Sequence, residues 1–256
     1  MLYLDYIYKQ NFNRMKLAMM QSYFLPYIGY FQLINSADKF ILYDKLGYIR
    51  HGWVNRNRIL TREGNISYIT VPVKHGNSNR HIFDTYINNT ANWRRNILKA
   101  IYLNYIRAPF FEETYSLLED IISETYHTIS ELNRASLSII CRHLEIPTLL
   151  IDDNDLYSTI EEEIKSMEST DRHHQRPISI CKQEGAKIYI NAIGGERLYF
   201  RDRFASEGIA LFFIKTADIK YEQNQPEFYP NLSIADVLMY SGVKKTKDFL
   251  NLFELI

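Results

Sequence analysis

Lys16-Leu-Ala-Met-Met-Gln21 is followed by Ser-Tyr-Phe-Leu-Pro26-Tyr-Ile-Gly29, then by Tyr30-Phe-Gln-Leu-Ile-Asn-Ser-Ala37, then by Asp38-Lys-Phe40-Ile-Leu-Tyr43-Asp44. The first segment reads as a short buried strand. Pro26 and Gly29 punctuate a loop, Tyr30–Ala37 has helical spacing, and Phe40–Tyr43 is a second apolar strand closed by Asp44. Strand, helix and strand in that order make a βαβ unit, and its strands run parallel because the crossover returns the chain to the same sheet. The predicted fold class is therefore α/β, a single domain with a mostly parallel sheet. Ligands in such sheets bind beyond the carboxyl ends of the strands, which is where Gln21 and Asp44 fall.

Outward from this unit, Ser67–Val73 alternates and is β-branched, a basic turn runs from Lys74 to Arg80, and His81–Ile87 follows. These read as two strands joined by a loop. Helices are predicted over Trp93–Ile106, with Thr90 or Asn92 as cap and Pro109 as stop, and over Phe110–Ser123 and Tyr126–Leu144. Residues of about 90–145 are thus a helical central portion. Thr148–Ile151 returns to a strand, and Arg172–Glu184 is a helix with Gly185 as its C-cap. Lys187–Asn191 and Ile209–Ile214 are strands, Arg201–Ser206 is helical, and Ser233 caps a helix over Ile234–Tyr240. The chain divides into an N-terminal extension, 1–15, and an α/β domain, 16–256.

Lys+Arg and Asp+Glu both number 30, so the net charge is zero and no global field draws nucleic acid or a membrane surface. No apolar run reaches the roughly 18 residues that a membrane span needs. The first residues, carrying Asp5 and Lys9, do not make a signal peptide. Two cysteines, Cys141 and Cys181, lie among isoleucines and read as small core residues of a reducing compartment. A cytoplasmic location is the expectation. Twenty tyrosines are an unusual supply of flat faces with one polar tip, suited to sugars and bases.

The densest cluster of site-like residues runs from Gln21 to Arg58. Trp53 is followed by Asn55, Arg56, Asn57 and Arg58. In an extended segment Arg56 and Arg58 share one face, and their guanidinium forks match phosphate or carboxylate. Asp44, with His51 near it, is the candidate acid–base pair. Lys74, His75 and Arg80 form a second basic patch in a turn. Asn191, Gly194 and Gly195 follow a strand, where consecutive glycines let N–H groups approach an anion. Adjacent His173 and His174 point apart on a helix, so no metal site is expected.

The stretch Met20–Asn35, with Asp38–Asp44 and Gly52–Ile59, resembles the WbqC-like protein family. So do Val71-Pro72-Val73, Trp93, Gly185–Asn191, Gly194-Gly195 with Leu198-Tyr199, Tyr221-Glu-Gln223 and Leu232–Asp236. The likeness runs in order over Lys16 to Gly242. It implies a place in bacterial surface-polysaccharide (O-antigen or capsule) biosynthesis, and an acyl- or aminoacyltransferase acting on a nucleotide-linked amino sugar. On that reading Asp44 and His51 carry the acid–base chemistry. Gln21, Tyr27, Trp53, Arg56, Asn57, Arg58, Lys74, Asn191, Gly194, Gly195, Tyr199, Tyr221 and Gln223 bind substrate. No tightly bound cofactor is expected; the acyl donor is a thioester or an ATP-activated acid. The partners are the nucleotide-linked amino sugar and that donor. Two other readings stand beside it: an ATP-dependent amide ligase working through an acyl-adenylate, and a sugar-nucleotide binding protein without turnover.

Overall fold

The computed structural model describes residues 14–74 and 80–256. His75, in the predicted basic turn, and the first thirteen residues of the predicted extension lie outside them. The βαβ unit is present as β1 (Lys16–Met20), α1 (Ile28–Asn35) and β2 (Lys39–Leu42). The strands run parallel, with Leu17 opposite Lys39 and Met20 opposite Leu42. β3 (Arg56–Leu60) and β4 (Ile66–Thr70) come next, then α2 (Trp93–Tyr105), α3 (Phe111–Ser123) and α4 (Ile129–His143). β5 (Leu149–Ile151), α5 (Ser158–Ile164), α6 (Ser169–Glu184), β6 (Ile188–Ala192), α7 (Arg201–Ala205), β7 (Ala210–Thr216), α8 (Ile234–Phe249) and β8 (Phe253–Leu255) complete the order.

Six strands form the main sheet in the order β5-β2-β1-β6-β7-β8. All neighbours are parallel except β7 and β8. The α/β fold class, with its mostly parallel sheet and helical central portion, is as predicted. Side chains alternate between two cores, as the pleat requires. Ala18, Phe40, Leu42, Ile188 and Ile190 face a core shared with α1–α4 and α8. Leu17, Met19, Ile41, Tyr43 and Tyr189 face a second core that holds Ile160, Ile164, Ile180, Cys181 and Phe204 from α5–α7.

Three features depart from the sequence reading. Ser67–Val73 does not pair with His81–Ile87 as a hairpin. Ile66–Thr70 pairs instead, antiparallel, with Arg56–Leu60 in a separate two-stranded sheet. His81 and Ile87 keep only single bridges, to Gly47 and Val73. The alternation in 67–73 was genuine, but alternation does not name its partner. α8 continues past Tyr240 across a kink at Gly242, where φ is 63° and ψ is 179°. A Cβ there would meet the Phe110 ring at 2.6 Å, so both backbone conformation and packing demand glycine. β8 carried no sequence signal that stood out from its helical neighbour. Asn92 precedes α2 but makes no side-chain cap bond; α4 has the reciprocal capping box of Thr128 and Glu131.

The hairpin is joined to the helical layer by a buried polar chain. Asp236 sits in the first turn of α8 behind its cap, Ser233. Its Oδ2 accepts from the Tyr105 hydroxyl at 2.7 Å, and that oxygen takes the Leu60 N–H at 3.0 Å. Its Oδ1 accepts from Tyr221 at 2.6 Å and from Gln223 at 3.0 Å. Burial raises the Asp236 carboxyl above the usual range, while the donations from Tyr221, Tyr105 and Gln223 pull it back. In Tyr105→Phe the Leu60 N–H and one carboxylate oxygen lose their partner inside the protein. A loss of about 2–4 kcal/mol is expected, read as a lower urea midpoint with an unchanged denaturant slope.

Candidate functional site

The strand order reverses between β1 and β6: the chain after β1 moves outward to β2 and β5, and β6 and β7 lie on the other side. That is the topological switch point, where loops leaving adjacent strands part and open a crevice. A cleft of about 400 Å³ lies there. The loop after β1 supplies Tyr23, Pro26 and Tyr27; the turn after β6 supplies Ile193; the end of β7 supplies Lys215 and Thr216. Trp53, Asn57 and Arg58 from the β3 region and Asn231 from the segment before α8 close the other side. Two cations and three aromatic rings line it, and none of these residues is acidic.

Local structure explains the shape. Leu25 has φ of 41°, a left-handed conformation that is strained for a branched side chain. The buried Asn57 amide holds it, donating to Phe24 O at 3.0 Å and Leu25 O at 2.9 Å. Ser233 Oγ donates to Leu25 O at 2.8 Å, and the Phe24 N–H reaches Trp53 O at 3.2 Å. α1 then starts at Ile28 with no side-chain cap and no acidic residue in its first turn, so its positive end is left uncompensated. Gly29 is required here: a Cβ would meet the Tyr27 ring at 2.4 Å and Thr216 Oγ1 at 2.8 Å. Arg58 lies over the Trp53 ring at 5.3 Å and donates to Asn231 O at 2.8 Å, while its buried Nε has no partner among the described residues.

The predicted residues separate into those the cleft contains and those it does not. Tyr27, Trp53, Asn57 and Arg58 line it. Arg56 does not: its guanidinium lies over the Tyr68 ring at 4.5 Å and donates to the carbonyls of Gly52 and His51. Gln21 is half-buried, and its carbonyl accepts from the Tyr30 hydroxyl at 2.7 Å. Asn191 is buried, donates to Tyr189 Oη at 3.0 Å and accepts from the Ala192 N–H at 2.7 Å. Gly194 is exposed in the turn after β6; Gly195 is buried, close to Asn191 and Tyr199. Tyr199 packs edge-on against Tyr189 and His174. Lys74 is exposed, and Tyr221 and Gln223 serve the Asp236 network.

The acid–base expectation for Asp44 and His51 needs correction. Asp44 has no exposed surface. It accepts from Ser22 N at 2.9 Å, from Ser22 Oγ at 2.8 Å and from Ser130 Oγ. A caged carboxylate of this kind ties the exits of β1 and β2 to α4 and is not placed to take a proton from a substrate. His51 is exposed with φ of 60°, and its carbonyl accepts from Arg56. His174 is buried, stacks on Phe200 at 5.0 Å and accepts the Phe200 N–H. Among the described residues no group of acidic, His and Cys side chains is arranged to hold a metal. Lys215, Thr216, Asn231, Ile193 and Tyr23 were not singled out in the sequence. Lys215 and Thr216 close the strand Ala210–Thr216, and strand-end position was the signal available for them.

These features define an α/β protein with a cationic, aromatic cleft at the switch point of a parallel sheet. The WbqC-like family model matches residues 21–248, and the chain belongs to the WbqC-like protein family. It is 34% identical over 233 residues to the uncharacterized protein Rv1507c of Mycobacterium tuberculosis, spanning 90% of this chain and 95% of that one. No solved structure gives a significant match. Among the described residues no helix is long and apolar enough to cross a membrane.

Both cysteines are free and buried, and burial pushes each thiol up to about 12. Thiolate is therefore scarce near neutral pH. Iodoacetamide at pH 8 is expected to leave both unlabelled in the folded protein and to label both in urea; fast labelling of the folded chain at either position contradicts this. Asn57→Ala leaves the Phe24 carbonyl without its partner and the Leu25 carbonyl with Ser233 Oγ alone, with an expected loss of about 1–3 kcal/mol, measured by thermal unfolding.

Proposed function

We propose that this protein transfers an acyl or aminoacyl group to the amino group of a nucleotide-linked amino sugar during assembly of a bacterial surface polysaccharide. The observation that carries the reading is the switch-point cleft, with Arg58 and Lys215 beside Trp53, Tyr23 and Tyr27 and no carboxylate in its lining. A nucleoside diphosphate sugar carries two phosphates, a flat base and a hydroxyl-rich ring. Arg58 meets phosphate oxygens with a fork and Lys215 as a point charge. The rings of Trp53 and Tyr27 take the base or sugar face, and the Arg58 Nε, which has no partner among the described residues, gains an acceptor. The substrate nitrogen attacks the acyl carbonyl carbon, a C–N bond forms, and the bond from that carbon to the donor's leaving group breaks. The proton lost from nitrogen leaves with that group.

A second reading, ligation through an acyl-adenylate, is favoured by the same lining. Nucleotidyl transfer relies on positioning and on cations near the phosphates more than on a side-chain base. In that sequence a carboxylic acid displaces diphosphate from ATP, and the sugar amine then displaces AMP. The two are told apart by incubating the protein with UDP-, dTDP- and GDP-linked amino sugars and either acyl thioesters or ATP with carboxylic and amino acids. Mass gain on the sugar with thiol release supports transfer from a thioester, and mass gain with AMP release supports ligation. Tight binding without mass gain overturns both in favour of a binding protein.

The two arginines give a sharper test by calorimetry with the bound sugar nucleotide. Arg58→Lys keeps the charge but loses the fork, and affinity is expected to fall roughly ten- to a hundredfold. Arg56→Lys is expected to cost about 1 kcal/mol of stability through lost stacking on Tyr68 and to leave affinity near wild type. Reversed results at the two positions would remove Arg58 from the site.

A further inference from the structure

A pocket of about 350 Å³ opens beyond the carboxyl ends of β2 and β5, on the side of β1 away from β6. Lys45 reaches it from the exit of β2, and Asp152, Asp153 and Asp155 from the exit of β5. Arg134 comes from α4. Phe83 forms a flat wall, its N–H bonded to Asp44 O at 3.2 Å and its ring stacked on His81 at 5.4 Å. Lys45 and Arg134 are half-buried, whereas the three aspartates are exposed, so the cations lie at the floor and the carboxylates at the rim. Part of this charge is already matched: Lys45 pairs with Asp155 at 3.4 Å and donates to Ser158 Oγ at 2.6 Å. Arg134 differs. Its Nε is buried and has no partner among the described residues.

We infer that this pocket binds a free α-amino acid, with the ligand's carboxylate on Arg134 and its ammonium on the aspartates at the rim. The site is separate from the switch-point cleft and does not depend on the proposed transfer reaction. A guanidinium nitrogen cut off from water calls for an acceptor, and a carboxylate meets the guanidinium fork with two parallel bonds. A plain anion would satisfy Arg134 but would have to lie beneath exposed carboxylates of its own sign. A plain cation would suit the rim but would sit above two half-buried cations. A molecule with opposite charges one carbon apart answers to both levels at once. Asp153 is the rim group placed for the ammonium. Its Oδ1 accepts the Asp155 N–H at 2.9 Å, which fixes the carboxylate, whereas Asp155 is the partner of Lys45. Phe83, which is 38% exposed, offers its ring to the carbon skeleton of the ligand. The volume is at the small end for ligand sites, as a single amino acid requires.

The test screens the standard L-amino acids at millimolar concentration against the full-length protein by ligand-detected NMR. Each amino acid that binds is then compared by calorimetry with two analogues, the acid lacking the amino group and the amine lacking the carboxylate. The amino acid is expected to bind about tenfold or more tightly than either analogue. Arg134→Gln is expected to weaken the amino acid and the deamino acid about tenfold or more while leaving the amine near its wild-type value. Asp153→Asn is expected to weaken the amino acid and the amine while leaving the deamino acid unaffected. Neither side chain is fully buried, and circular dichroism verifies that both variants fold. Absence of binding by every amino acid, or binding that survives both substitutions in folded protein, overturns the inference. Binding of the deamino acid as tight as that of the amino acid, lost in Arg134→Gln and indifferent to Asp153→Asn, overturns it in favour of a plain anion site.

Discussion

The Asn57 side-chain amide is the contact on which the arrangement of the cleft depends. Its two donations hold Phe24 and Leu25 in a backbone path that Leu25 would not adopt alone. A left-handed non-glycine residue costs on the order of 1–3 kcal/mol and persists only when its surroundings over-determine it. Here they do. The Leu25 side chain is fully buried, Ser233 donates to its carbonyl, and the Ile234 N–H reaches Pro26 O. β3 and the start of α8, far apart in sequence, thus converge on one turn after β1. That turn sets where Tyr23 and Tyr27 stand in the cleft and where α1 begins.

Around this point buried polar groups do most of the joining between layers. Asp44 binds Ser22 and Ser130, and Asn133 donates to Ser22 O and to Val54 O, at 3.1 and 2.8 Å. Asp236 gathers Tyr105, Tyr221 and Gln223. Gln32 reaches from α1 to the carbonyls of Phe249 and Leu252. Each such contact costs desolvation and repays it only when its partners are all in place. They therefore fix the relative positions of helix and sheet more strictly than the apolar core does, because an apolar core tolerates small slides.

Much of the fold was legible in the sequence because its elements are local. The βαβ start, the three central helices, the Gly185 cap and the Ser233 cap are all written in contiguous spacing. The partner of 66–70 was not, since pleat alternation is the same whichever strand lies alongside. The site was half legible for a related reason. Trp53, Asn57 and Arg58 stood out as a cluster, but Lys215 reaches the cleft through sheet order and Asn231 through the segment before α8, and no local pattern encodes either placement. Asp44 shows the opposite error. A carboxylate at a strand end reads identically whether it faces solvent or a serine cage, and one of those serines, Ser130, arrives from α4. Arg56 and Arg58 do share a strand face, yet Tyr68 on the neighbouring strand claims one of them.

The pairing of β1 with β6 has a consequence for how the chain comes together. Lys16 lies opposite Ile188, so the central contact of the sheet closes a loop of roughly 170 residues, an entropic cost that must be met before the contact repays it. During synthesis β1 has only β2 to pair with on one side, β5 later joining beyond β2, and its other edge waits for β6. The cleft depends on β7 and on the segment before α8, beyond β6 in the sequence. The candidate cleft is thus completed only by segments that follow β6, and a chain ending before Lys187 lacks the strand that pairs with the second edge of β1.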